Sequence, residues 1–251
     1  RTRCRAPRRR SAGEAVPQIF ESSDPSQPVA HVKTMQVLSR QTLAQPWRRY
    51  GREGRYRLDM SRFVLDCAVS RPVSGQVAAW LTSAVQTAWA SPSAGYHEAK
   101  QSSLMLDQSV ATMAGLTGAR NVRFCPDIPV AVGEVVAQKA PGATTVATSV
   151  VDSLQVQQAV ARGAAAAGLP HRLLAVDAAG RLDREALDAL PTPALLVTNL
   201  GNQEIGTVQI DLSEWSRSTG SAVVLDASTA FGWIDLPDYW SHLLLDARSW
   251  G

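Results

Sequence analysis

From about Tyr56 onward, short apolar runs alternate with stretches of helical spacing, and no other feature constrains the fold as strongly. A strand covered by helices on both faces of a parallel sheet reads as a near-continuous apolar run. Phe63-Val64-Leu65, Asn121 to Cys125, Thr144 to Val151, Arg172 to Val176, Ala194 to Thr198, Ala222 to Leu225 and Leu243 to Leu245 have that character. Between them, Val73, Val77, Trp80, Leu81, Ala84, Val85 and Ala88 recur at the spacing of an amphipathic helix. Glu98 to Leu116 places Leu104, Leu106, Val110 and Met113 near one helical face ahead of Gly118, and Leu154 to Ala167 runs as a helix into the Gly168-Leu169-Pro170 break. Asp183 is placed to cap a helix over Arg184 to Ala189, and Ser213 to Ser218 reads as another. The expected class is α/β: a mostly parallel sheet sandwiched by helices in three layers, α/β/α. Such sheets bind ligands beyond the carboxyl ends of their strands, which directs attention to the loops starting at Asn199, Asp226 and Asp246.

Composition narrows the setting. The 251 residues, 45% hydrophobic and 19% charged, suffice for one sizeable core. No run of 18 apolar residues occurs, and the Arg-dense start lacks the apolar stretch of a secretory signal. Cys4, Cys67 and Cys125 are odd in number, far apart and free of CxxC spacing, so neither a disulfide framework nor a zinc site is indicated and a reducing, cytoplasmic setting is expected. Residues 1–57 hold 13 Lys/Arg against 4 Asp/Glu, while residues 58–251 hold 12 against 18. Residues 1–57 therefore read as an Arg-rich, non-periodic and disordered tail, and 58–251 as an acidic folded domain. Six arginines among the first ten residues can grip phosphates without sequence preference, so any nucleic-acid contact is confined to this tail. The alternatives are a solvated arm or upstream sequence that is not translated. The chain opens with Arg and stops just after an apolar run, as expected of a piece of a longer protein.

Several ordered motifs carry a resemblance. Asp177-Ala178-Ala179-Gly180-Arg181-Leu182-Asp183 is followed by Leu195 to Asn199 and then by Gly201-Asn202-Gln203-Glu204-Ile205-Gly206-Thr207-Val208-Gln209. This stretch resembles the part of the cysteine desulfurases that ends in an NNEIG motif. Val224-Leu225-Asp226-Ala227-Ser228-Thr229-Ala230-Phe231-Gly232 resembles that family's DAxQxxG strand end, and Leu243-Leu244-Leu245-Asp246-Ala247-Arg248-Ser249-Trp250-Gly251 its SGHKxxG strand and loop. Upstream, Leu65 to Pro72 resembles the opening LDNAATTP, and Ser91-Pro92-Ser93 resembles NPSS. The resemblance spans about residues 63–251 and implies the large domain of a fold-type I, class V aminotransferase-like protein, with pyridoxal phosphate as cofactor, a homodimer, and a sulfur-transfer protein as partner. The family's smaller C-terminal domain has no counterpart here.

By that resemblance Asp226 faces the pyridine nitrogen, where a carboxylate keeps the ring protonated and able to accept electrons. A turn-capping Asp at a strand end is the alternative. Gln203 and Thr229 fall where the family contacts the phenolic oxygen, or else are ordinary polar loop residues. The lysine that holds the cofactor covalently falls at Ser249, preceded by Arg248 in place of His, and the lysines of the chain are Lys33, Lys100 and Lys139. The phosphate-holding turn corresponds to Cys125 to Ala131, where Asp127 repels a phosphate and Pro126 and Pro129 remove amides. The ring-stacking His falls near Val150 to Ser153, where there is none, and His97, His171 and His242 read as surface or packing residues. Cys67 and Cys125 read as small buried fillers. A nucleotide-binding turn is excluded, because Gly163 to Gly168 lies in or after a helix with the wrong spacing. Two readings remain: a degenerate member without Schiff-base catalysis, or a piece of an active cysteine desulfurase.

Overall fold

The computed structural model describes residues 29–32 and 72–249. The expected strand at Phe63 to Leu65, Cys4, Cys67 and the remainder of the 1–57 tail lie outside them. Side-chain oxygens start most of the helices. Ser74 accepts from Val77 N at 3.2 Å ahead of α1 (Gly75–Thr87). Next come α2 (His97–Thr117) and α3 (Ile128–Lys139), the latter capped by Asp127, which accepts from Val130 N at 2.8 Å. Ser153 accepts from Val156 N before α4 (Leu154–Ala166), and Asp183 accepts from Glu185 N and Ala186 N before α5 (Arg184–Asp188). Each oxygen satisfies a first-turn amide that has no partner within its helix. The last helix described is α6 (Ser213–Thr219). α2 ends as expected at Gly118, whose φ of 73° is left-handed and costly for any residue with a Cβ.

The strands are β1 (Val29–Val32), β2 (Asn121–Phe124), β3 (Thr145–Ser149), β4 (His171–Leu174), β5 (Ala194–Asn199), β6 (Gly201–Asn202), β7 (Thr207–Val208), β8 (Ala222–Asp226) and β9 (His242–Leu245). Seven form one sheet in the order β2-β1-β9-β8-β5-β3-β4, with every neighbouring pair parallel. β6 and β7 make a separate antiparallel hairpin. β1 falls within the stretch read as a tail, and its backbone pairs with β2 on one side and β9 on the other.

Alternation along the strands divides the core in two, because successive side chains point to opposite faces. Val146, Leu195, Val197, Val224 and Leu244 pack with α3 and α4 through Val132, Val135, Val136, Val156 and Val160. Ala147, Leu196, Val223, Leu225, Leu243 and Leu245 pack on the opposite side with Met113, Leu187, Leu212 and Trp215 from α2, α5 and the start of α6. The three-layer α/β/α expectation is met.

Two local expectations are corrected. The apolar stripe of α1 is only partly covered: Val73, Leu81 and Val85 are exposed, Trp80, Ala84 and Ala88 half-buried, and Val77 is buried. On α2 the buried face carries Ala99, Ser102, Ser109, Met113 and Thr117, while Leu104 is 69% exposed. Small side chains allow close packing there, and the hydroxyls of Ser102, Ser109 and Thr117 are satisfied by carbonyls one turn back, on Glu98, Met105 and Met113. α3 was not among the expected helices; it carries the apolar run Ile128 to Val136 and has Pro129 in its first turn. Proline is tolerated in a first turn, where its missing amide leaves no ladder bond unmade.

Candidate functional site

The parallel strands end together, and their carboxyl ends form a cavity of about 210 Å³. Asp152 enters from the turn after β3, Asn199 from the end of β5, Asp226 from the end of β8, and Asp246, Arg248 and Ser249 from the segment after β9. Ile128 and Pro129 at the start of α3 close one side, and Asn202, Gln203 and Glu204 of the β6–β7 hairpin form the rim. The loops singled out at Asn199, Asp226 and Asp246 are thus brought to one place.

Asp152 is a strongly perturbed group in the lining. It is buried, and its carboxylate accepts from Ser149 N at 2.8 Å, Asn199 N at 3.1 Å and Asn199 Nδ2 at 2.7 Å. Burial pushes its pKa up to about 7 against the pull of the Ser149 and Asn199 donors, and the nearby Asp226 charge adds to the rise. The turn carrying it is braced twice more: Gln157 Nε2 donates to Asp152 O at 2.7 Å, and Asn202 Nδ2 donates to Val151 O at 2.7 Å. Sequence reasoning searched Val150 to Ser153 for a histidine and passed over this carboxylate. The available signal was an acid at a strand end directly before the Ser153 helix cap.

The three residues assigned by resemblance all line the cavity. Asp226 is half-buried, and its Oδ1 accepts from Ser228 N at 2.9 Å and from Ser228 Oγ, so it also caps the turn that follows β8. Thr229 Oγ1 donates to Gly201 O at 2.6 Å and ties that turn to the hairpin. Gln203 is exposed at the rim. Ser249 is buried in the single turn Ala247–Ser249, and its amide donates to Asp246 O at 3.2 Å. The guanidinium of Arg248 grips Asp246, with Nη2 to Oδ2 at 2.9 Å and Nε to Oδ2 at 3.1 Å. His97, His171 and His242 lie outside the lining; His171 shares a hydrogen bond of 2.9 Å with Thr148 Oγ1, and His242 is buried in β9. Cys125 is buried against the α3–α4 face, and burial pushes its thiol up, which favours the unreactive form.

The parallel strand order and the two helical layers make a three-layer α/β fold similar to that of solved cysteine desulfurases. No family model matches the sequence, and no curated protein does. Among solved structures, the chain is similar to SspA in complex with cysteine, at 20% identity and a TM-score of 0.55 over 66% of this chain and 50% of that one. It is also similar to a NifS-like protein, at 16% identity and a TM-score of 0.54 over 64% of this chain and 48% of that one. A third is the apo cysteine desulfurase from Thermococcus onnurineus NA1, at 12% identity and a TM-score of 0.52 over 73% of this chain and 46% of that one. The chain spans about half the length of these solved chains.

Pyridoxal phosphate makes three demands against which the lining can be tested. An acid for the ring nitrogen is met by Asp226. An amine for the aldehyde is not met, since no lysine lines the cavity among the described residues. An anion cradle at the start of α3 is not met either: Pro129 has no amide, Val130 N is taken by the Asp127 carboxylate, and Ala131 N by Asp127 O at 3.1 Å. The described lining residues alone do not fit the cofactor as a covalently held, phosphate-anchored group.

Proposed function

We propose that this chain is a cysteine desulfurase-like, class V aminotransferase-like protein that retains the family fold and its strand-end cavity but performs no Schiff-base catalysis. The observation that carries the reading is the lining itself: among the described residues it holds four carboxylates, one arginine and no amine, with Ser249 where the resemblance expects the lysine. Without a nucleophilic amine there is neither covalent capture nor a base to move the substrate proton. In this reading Asp226, Gln203 and Thr229 contact a ligand held without a covalent bond. The protein works as a cytoplasmic homodimer that partners a sulfur-transfer protein. Among the described residues no helix is long and apolar enough to cross a membrane, in keeping with that setting.

A second reading, a piece of an active pyridoxal-phosphate-dependent cysteine desulfurase acting on L-cysteine, is favoured by Asp226, which keeps its place at the end of β8. A pyridoxal-phosphate titration separates the two. The first predicts an absorbance spectrum equal to the sum of free cofactor and protein at every ratio. A saturable visible band of a lysine-bound cofactor establishes the second.

A further inference from the structure

We infer that the gap between β2 and β9 is a binding groove for an extended peptide strand, that residues 29–32 of this chain are its resident occupant, and that the same segment supplied as a separate peptide takes their place. The inference stands on strand pairing and is independent of the cavity's chemistry.

β2 and β9 do not pair with each other. β1 lies between them, parallel to both, with its four residues in register with Asn121 to Phe124 on one side and with His242 to Leu245 on the other. Residues 33 to 120 separate β1 from β2 in the chain, so its place is set by pairing across the sheet and not by a short turn. Withdrawing it leaves two facing rows of backbone N–H and C=O groups inside a sheet, a template that an extended segment satisfies.

Main-chain bonds supply affinity in such a groove, and alternate side chains supply selectivity. Ala30 is in register with Val122 and Leu243, and Val32 with Phe124 and Leu245. These four neighbours belong to the apolar face of the sheet that packs with α2, so an acceptable segment carries apolar residues two apart, as this one does. Occupancy also reaches the cavity. β8 pairs with β9 as far as Leu244, whereas β1 pairs with it through Leu245, the residue before Asp246. The occupant thus fixes the strand end from which Asp246, Arg248 and Ser249 enter the cavity.

The test uses the full chain carrying Ala30→Pro and His31→Pro. Successive residues of a strand present their amides to opposite neighbours, so the two prolines remove a donor on each side. The probe is a fluorescein-labelled peptide of residues 26–36, followed by anisotropy. It is expected to bind the variant at least about tenfold tighter than the unaltered chain, whose own strand competes. A peptide bearing Ala30→Asp and Val32→Asp is expected to bind at least about tenfold more weakly. Hydrogen exchange of residues 242–249 is expected to speed up in the variant and to slow when the peptide is added. Equal binding to both proteins, or no binding to a variant that keeps its circular dichroism, overturns the inference. Should the variant fail to fold, full-length Val122→Cys is incubated in a glutathione redox buffer with excess peptide bearing Ala30→Cys. A disulfide mapped to position 122 is expected, lowered at least about tenfold when the peptide also bears His31→Pro. Absence of that disulfide, or its indifference to the proline, overturns the inference.

Discussion

Asp152 makes the stability of the fold depend on pH in a direction opposite to that of a salt-bridged carboxylate. Its pKa rises from the ordinary 3.8 to about 7 in the folded chain, so the folded state holds a proton that the unfolded state has released between those values. Its contribution is fully present below about pH 4 and is lost as pH climbs through 7. At about 1.36 kcal/mol per pKa unit, the interval from pH 5 to pH 7 is worth about 2 to 3 kcal/mol. The full window is on the order of 4 kcal/mol. Asp152→Asn removes the titration and puts an amide N–H against Ser149 N, a mismatch costing about 1 to 3 kcal/mol at every pH. Urea denaturation of both proteins at pH 5, 6, 7 and 8 measures the difference, in which titrations not coupled to Asp152 cancel. The unaltered chain should lose about 2 to 3 kcal/mol relative to the variant between pH 5 and pH 7, then run parallel to it above pH 8. Parallel behaviour across the whole range would show that Asp152 is ionised throughout and that its burial has been misjudged.

Other consequences can be checked with the same methods. Gly163→Ala in α4 puts a methyl 2.7 Å from Val136 Cγ1 of α3, and the resulting overpacking should cost about 1 to 3 kcal/mol in denaturant titrations. Leu196→Ala, at a fully buried position in the interior strand β5, should cost about 2 to 5 kcal/mol. His171 has its pKa lowered by burial, so the stability tied to its neutral form is present above its ordinary 6.5 and is lost as pH falls through the lowered value. His171→Gln should flatten that acid-side loss in pH-dependent thermal melts.

The sheet was legible because each central strand is a short apolar run, and β5, β8 and β9 were placed to within a residue or two at either end. The strand-end loops were legible for the same reason, since parallel topology fixes where the carboxyl ends gather. What periodicity could not reveal was which helix faces are buried. On α2 the buried stripe includes serines and a threonine whose hydroxyls are satisfied within the helix, so a search for leucines chose the wrong side. On α1 the apolar residues follow helical spacing, yet of them only Val77 is buried. Asp127 was recognised as hostile to phosphate, but its use as the α3 cap depends on backbone geometry. Asp152 escaped notice because its meaning depends on Asn199, 47 residues away in the chain.

The central claim is that the cavity captures no aldehyde. The most direct measurement is borohydride reduction of the full chain incubated with excess pyridoxal phosphate, followed by intact mass and peptide mapping. The account predicts an unchanged mass under conditions that label a lysine-bearing desulfurase completely. A stoichiometric adduct mapped to one lysine would contradict it and place the chemistry on a residue that does not line the cavity described.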